Sequence, residues 1–165
     1  MIDAVKLITY NTWANQKIAG QIQLYSHDQL TKETGGSFPS IRLTLLHLIE
    51  SDWIWMHRFK GMPLVAIPTD WPTNDVPAMV AIWMSIQQEM EAVVANLVPT
   101  RDATIAFTTK KGVSYSMPFL DIVIHVTNHG TYHRGQMVNM IRMLGEQPVN
   151  TDYFIFCTLP DKEAL

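Results

Sequence analysis

His125-Val126-Thr127-Asn128-His129-Gly130-Thr131-Tyr132-His133-Arg134-Gly135-Gln136 repeats histidine at every fourth position within a long stretch of helical period. Four residues of α-helix leave side chains about 40° apart around the axis and about 6 Å apart along it, so the three imidazoles share one face. Neutral imidazole is the commonest protein ligand for a transition metal. One helix supplies too few ligands for a site, so another segment has to complete it.

Working outward, the rest of the chain also reads as helix. Residues 3–25 carry Ala4, Leu7, Ile8, Ala14, Ile18 and Ile22 at helical spacing, with Tyr10 and Trp13 among them. Gly35 and Gly36 break the chain, Ser40 is placed to cap a second helix that runs to about Lys60, and Gly61 and Pro63 end it. Residues 61–75 form a loop. Asp75 and Pro77 open a third helix that reaches Leu97 and stops before Pro99. Thr104–Thr109, Lys110-Lys111-Gly112 and Val113–Ser116 read as a small hairpin with a glycine turn. Ser116 and Pro118 begin the fourth helix, which ends at Leu144 with Gly145 as its left-handed cap and Pro148 beyond. The apolar tail, 150–158, should pack back on the body. The expected fold is therefore all-α, one domain over 1–165, a four-helix bundle with a small β-hairpin before its last helix. Extended at roughly 3.3 Å per residue, the 61–75 connection is long enough to cross the bundle, so spacing leaves its topology open.

The second helix is apolar on two sides. One stripe is Leu43, Leu46, His47, Glu50, Trp53, Ile54 and His57; the other holds Leu45, Ile49, Trp55, Met56 and Phe59. A helix apolar on both sides needs two covers. The tail or a second subunit is the expected second cover, and a homodimer is the expected assembly.

Composition narrows the function. Hydrophobic residues make up 47% of 165, enough for a core. Net charge is −3, from 12 basic and 15 acidic residues, with no basic stripe to hold nucleic acid or an anionic membrane. No apolar run approaches a membrane span, and the start carries an acid, Asp3, where a signal peptide needs basic residues. Cys157 is the sole cysteine, so no intrachain disulfide forms. A soluble cytoplasmic protein is the expectation. The five tryptophans and ten methionines are assigned to core packing.

Nitrogens around one zinc lie about 3.4 Å apart, given bonds of about 2.1 Å. Rotamers can close the 6 Å rise of an i, i+4 pair but not the roughly 12 Å between His125 and His133. One ion can take His125 with His129, or His129 with His133. The second helix offers His47 inside Leu45-Leu46-His47-Leu48-Ile49. Three imidazoles on a divalent ion leave open positions, which is a catalytic arrangement, whereas structural zinc sites close with four ligands, often cysteines. The plainer reading is a hydrogen-bonded core histidine and an accidental pair. His57 lies about 15 Å along the helix from His47 and cannot join the same ion. His27 falls in a polar linker. His125 is a candidate pocket residue that Asp121 could orient, although Asp121 equally suits a helix first turn. A diiron carboxylate site needs Glu-x-x-His motifs, and the chain has only the reverse, His47-Leu48-Ile49-Glu50.

Four segments together resemble the DinB/YfiT-like family of metalloenzymes: Tyr10-Asn11-Thr12-Trp13-Ala14-Asn15; Leu46-His47-Leu48-Ile49 with Asp52 and Trp53; Asn128 through Gln136; and Leu144-Gly145, Pro148 and Thr151-Asp152-Tyr153. The resemblance implies a long crossover between the second and third helices, a dimer, and one metal ion on His47, His129 and His133, with His125 outside. Zinc, nickel, iron and manganese are the metals it offers. It further implies thiol-dependent S-transferase-like chemistry on a small molecule, with a low-molecular-weight thiol as cosubstrate. A hydrolase-like reaction is the neighbouring expectation, and a non-catalytic metal-binding stress-response module the competing one. No catalytic base is legible; Glu50, Asp52, His125 and Tyr132 are the nearest candidates.

Overall fold

Asp3, Ser40 and Asp75 start three long helices by the same device. Asp3 Oδ1 accepts from Lys6 N at 3.0 Å, Ser40 Oγ from Leu43 N at 3.3 Å and Asp75 Oδ1 from Ala78 N at 3.0 Å. Each satisfies an amide that has no partner within its helix. The computed structural model describes residues 2–98 and 103–160. Its elements are α1 (Ala4–Ile22), α2 (His27–Thr31), α3 (Ile41–Phe59), α4 (Val76–Leu97), β1 (Thr104–Thr108), β2 (Ser114–Pro118), α5 (Phe119–Met143) and α6 (Tyr153–Thr158). Pro99, the expected stop of α4, lies outside the described residues.

Side-chain pairings fix the directions of the helices. Arg42 Nη1 donates to Thr73 O, just ahead of α4, at 2.9 Å. Farther along α3, Asp52 meets Trp83 and Gln87, and Lys60 pairs with Glu89. Later residues of α3 meet later residues of α4, so the two helices run parallel. By the same argument α1 and α5 are parallel: Asn15 meets Arg134, and Gln21 meets Gln147 beyond the end of α5. In contrast, α3 and α5 are antiparallel, with Thr44 beside Met140, His47 beside His133, Trp55 beside His125 and Phe59 beside Phe119. The bundle is thus up-down-down-up, and the parallel α3–α4 step requires the chain to return along the bundle.

That return is the connection after α3, and it supplies the missing cover of α3. Trp53 Nε1 donates to Ala66 O at 3.0 Å, and Trp71 packs edge-on against Trp53 at 5.6 Å. The expectation that the tail would cover this stripe is corrected here: over Trp53 the crossover does so. The tail packs instead on α1, where Phe156 joins Tyr10, Trp13 and Ala14. Tyr10 Oη donates to Thr151 O at 3.0 Å, while Gln21 Oε1 accepts from Val149 N at 2.9 Å.

Two boundaries differ from the sequence reading. The linker at His27 contains the one-turn helix α2, held by a reciprocal Ser26–Gln29 capping box. Ser116 does not cap the last helix; it remains in β2, opposite Ala106, and α5 starts at Phe119 with no side-chain cap. The hairpin stands as expected, with Phe107 opposite Tyr115 and Gly112 at φ 79°, a value favouring glycine. Trp13 and Trp83 fill the interior as assigned.

Residues 133 and 134 of α5 divide the bundle into two polar regions. Arg134, 1% exposed, turns toward α1 and donates through Nη1 to Asn11 Oδ1 (2.6 Å) and Asn15 Oδ1 (2.7 Å). Asn15 Nδ2 donates to Gln87 Oε1, and Gln87 Nε2 and Trp83 Nε1 both donate to Asp52 Oδ2, at 2.7 and 2.8 Å. One buried chain of hydrogen bonds therefore links all four long helices. Gly130 makes the α1–α5 approach possible: a Cβ there would sit 2.4 Å from Asn11 Oδ1 and 2.8 Å from Arg134 Nη1. No helix among the described residues is long and apolar enough to cross a membrane.

Candidate metal centre

His133 turns the other way, toward α3. Antiparallel packing sets His47 opposite the i, i+4 pair of α5, where His47 Nε2 lies 3.2 Å from His129 Nε2 and 3.1 Å from His133 Nε2. The ligating atoms of all three residues fall within 4.8 Å of one another. These separations are close to the roughly 3.4 Å between nitrogens on one tetrahedral zinc. Of the two pairs that spacing left open, the structure brings His129 and His133 to His47. His125 stays outside, its ring 5.9 Å from that of His129 and packed edge-on against Trp55 at 5.1 Å.

The hydrogen-bond inventory favours a cation at this point. His133 Nδ1 donates to Gln136 Oε1 at 2.8 Å, which places its proton on Nδ1 and leaves Nε2 with a lone pair facing the other rings. His47 Nε2, if protonated, can donate to only one of its two neighbours. Burial, then the neighbouring His133, then Lys110, lower the His47 pKa to about 4. Burial followed by His133, His47 and His125 lowers that of His129 to about 4. At neutral pH both rings are uncharged and competent as ligands. Phe38 stacks on His47 with centroids 4.0 Å apart and meets the edge of His133 at 5.6 Å. The donor set and its geometry thus fit one divalent ion.

The candidate bases distribute differently. Asp52 is 2% exposed and belongs to the buried chain described above, so it is not a base at this centre. Burial pushes its pKa up to about 6, against the lowering effects of Trp83, Gln87 and Arg134. Glu50 is half-buried and pairs with Lys110 of the hairpin turn at 3.8 Å, at the rim of the centre. Tyr132 is exposed, with its ring edge-on to His133 at 5.0 Å. No hydrogen bond joins Asp121 to His125; desolvation, then the Arg58 charge, lower the His125 pKa. His57 Nδ1 faces Trp53 O at 2.9 Å, away from the centre, and His27 is exposed on α2.

Three contributors escape a sequence reading. Gln136 carried a usable signal, since i+3 on a helix shares the face of His133. Phe38 and Lys110 lie in turns, and only tertiary packing brings them to His47.

The DinB family model matches residues 1–163. The chain belongs to the DinB family. A curated relative, "Protein DinB" of Bacillus subtilis (strain 168), is 26% identical over 168 residues, covering 96% of this chain and 97% of its own length. A solved DinB-like protein from Bacillus cereus ATCC 10987 superposes with a TM-score of 0.65 over 84% of this chain and 91% of its own, at 13% identity, which supports the DinB fold.

Proposed function

We propose that this DinB protein is a metal-dependent enzyme whose single ion is held by His47, His129 and His133. The observation that carries the reading is the convergence of three Nε2 atoms from two helices, with the lone pair of His133 Nε2 facing the other rings. A divalent ion held there would supply Lewis acidity, lowering the pKa of a thiol or water brought to it. The three imidazoles bring no negative charge, so the full charge of the ion acts on its ligand. Gln136 holds the His133 ring, and Phe38 excludes water from one side of His47. The preferred reaction is attack by the sulfur of a low-molecular-weight thiol on a small electrophile, in which the new bond to sulfur replaces the bond to a leaving group and the thiol proton is released; hydrolysis is second. Zinc, nickel, iron and manganese are all compatible with the ligands.

Elemental analysis of untagged protein tests this reading. About one transition metal per chain is expected, with loss of that metal in His129→Ala. Stoichiometric metal retained by His129→Ala, or none in the wild type under any metal supply, ends the proposal. Metal present without turnover of any thiol or water acceptor would favour a non-catalytic module. The proposal includes a homodimer in the cytoplasm, a reducing compartment suited to the exposed free Cys157. A monomer by sedimentation at micromolar protein removes the dimer.

A further inference from the structure

Arg58, in the last turn of α3, is 9% exposed, and no carboxylate among the described residues pairs with it. Its Cζ lies 4.5 Å from the ring centroids of both Trp55 and Phe107. Nη2 donates to Thr108 O at 2.9 Å, but Nε is buried with no partner. Contact with the helix C-terminal dipole favours a cation at this position, yet such a cation does equally well in water. Aromatic faces offset part of the desolvation cost; a counter-anion is what remains missing. Arg58 also forms part of the wall of a cavity of about 320 Å³ whose other walls include Trp55, Phe107, Tyr115, Met117 and His125. That size falls at the lower end of small-molecule sites. The cavity and the metal centre share a border at His125, one helical turn before His129.

We propose that this cavity is an anion-binding pocket serving the histidine centre, and that it takes a small organic oxyanion with an aromatic or branched apolar body. The apolar body lies among Trp55, Phe107, Tyr115 and Met117, and the carboxylate or sulfonate meets the Arg58 guanidinium. The service to the metal centre rests on the function proposed above; the binding itself does not. The pocket thereby names a substrate class: anionic, largely apolar and small.

The probe is 2-naphthoate, titrated calorimetrically into chelator-treated protein, with 2-naphthylmethanol as its neutral counterpart. Saturable one-to-one binding of naphthoate to wild type is expected, at least tenfold weaker to Arg58→Met, with the neutral alcohol binding both proteins alike. Methionine keeps most of the apolar stem while removing the charge. A displaced Arg58 Nε–H signal in nitrogen-edited NMR of the wild type gives the same answer without any variant. No saturable binding, equal binding to Arg58→Met, or an unmoved Nε–H signal overturns the proposal. So does binding that requires metal and disappears in His129→Ala, because the carboxylate would then be on the ion. Arg58-dependent binding to a protein that never takes up metal supports the pocket and defeats only the reading of the centre.

Discussion

His133 and Arg134 are neighbours on α5 that point into two different kinds of polar interior. On the Arg134 side, Asn11, Asn15, Gln87, Trp83 and Asp52 match most donors to acceptors within the chain itself. On the His133 side, His47 Nε2 faces two other ring nitrogens at 3.2 and 3.1 Å, and can donate to no more than one of them. The first region is mostly paired, with Asn11 Nδ2 and Arg134 Nε left over, and orders four helices against each other; the second gathers three possible ligand nitrogens within 4.8 Å of one another. Matched polar groups specify a fold, whereas unmatched ones at short range mark a place for something outside the chain.

The contrast breaks most readily on the Arg134 side. Arg134→Leu removes the donor to Asn11 and Asn15 and should cost about 4 kcal/mol, as breaking a buried charged network does. Chemical denaturation measures it, and metal content per folded chain should be unchanged. Gly130→Ala drives a methyl group into Asn11 and Arg134 and should cost about 2 kcal/mol, again without effect on metal content. A strong loss of metal in either variant would merge the two regions.

The other side sharpens it. Gln136→Ala frees the His133 Nδ1 proton and should weaken metal binding about 10-fold or more, read by competition with a chromogenic chelator, while the metal-free protein keeps its stability within about 1 kcal/mol. An equal loss in both measurements would make Gln136 merely structural.

Acidity gives the smallest effect, and opposite signs for the two regions. His47 and His129 have folded pKa values of about 4 against an ordinary 6.5, so unfolding takes up protons between those limits. Their contribution to metal-free stability is present above 6.5 and is lost as pH falls toward 4. Asp52 is raised from 3.8 to about 6, so its contribution is present below 3.8 and is lost as pH rises through 6. The two histidines outweigh one aspartate, so the melting temperature of metal-free protein should fall from pH 7 to pH 5. His129→Gln should flatten that fall and Asp52→Asn should steepen it. The reverse order of slopes would refute the assignment.

Much of this was legible in the chain. Helical period, Ser40, Asp75 and Gly145 delimit the long helices, and the glycine turn delimits the hairpin, because capping and turn chemistry are local. Spacing alone put His129 on one face with both His125 and His133; the resemblance chose His133, and the structure brings that residue to His47. Less legible was the cover of α3. Apolar stripes state that a face is buried without stating by what, and the crossover lies over Trp53 because α3 and α4 run parallel. Asp52 shows the same limit: a helix acid in the sequence, it becomes a buried acceptor once α4 packs beside it.

What the amino-acid order determined by itself was every feature set within a few residues: where helices start and stop, which side chains share a face, and that imidazoles recur at ligand spacing. What only the tertiary structure decided was which faces meet. The antiparallel register of α3 on α5 sets His47 against His129 and His133, and Arg58 lies buried between Trp55 and Phe107 with no carboxylate paired to it among the described residues. The reason is range: propensity and capping act over one helical turn, while pairing between helices depends on crossovers and close approaches, such as that at Gly130, between residues more than a hundred positions apart.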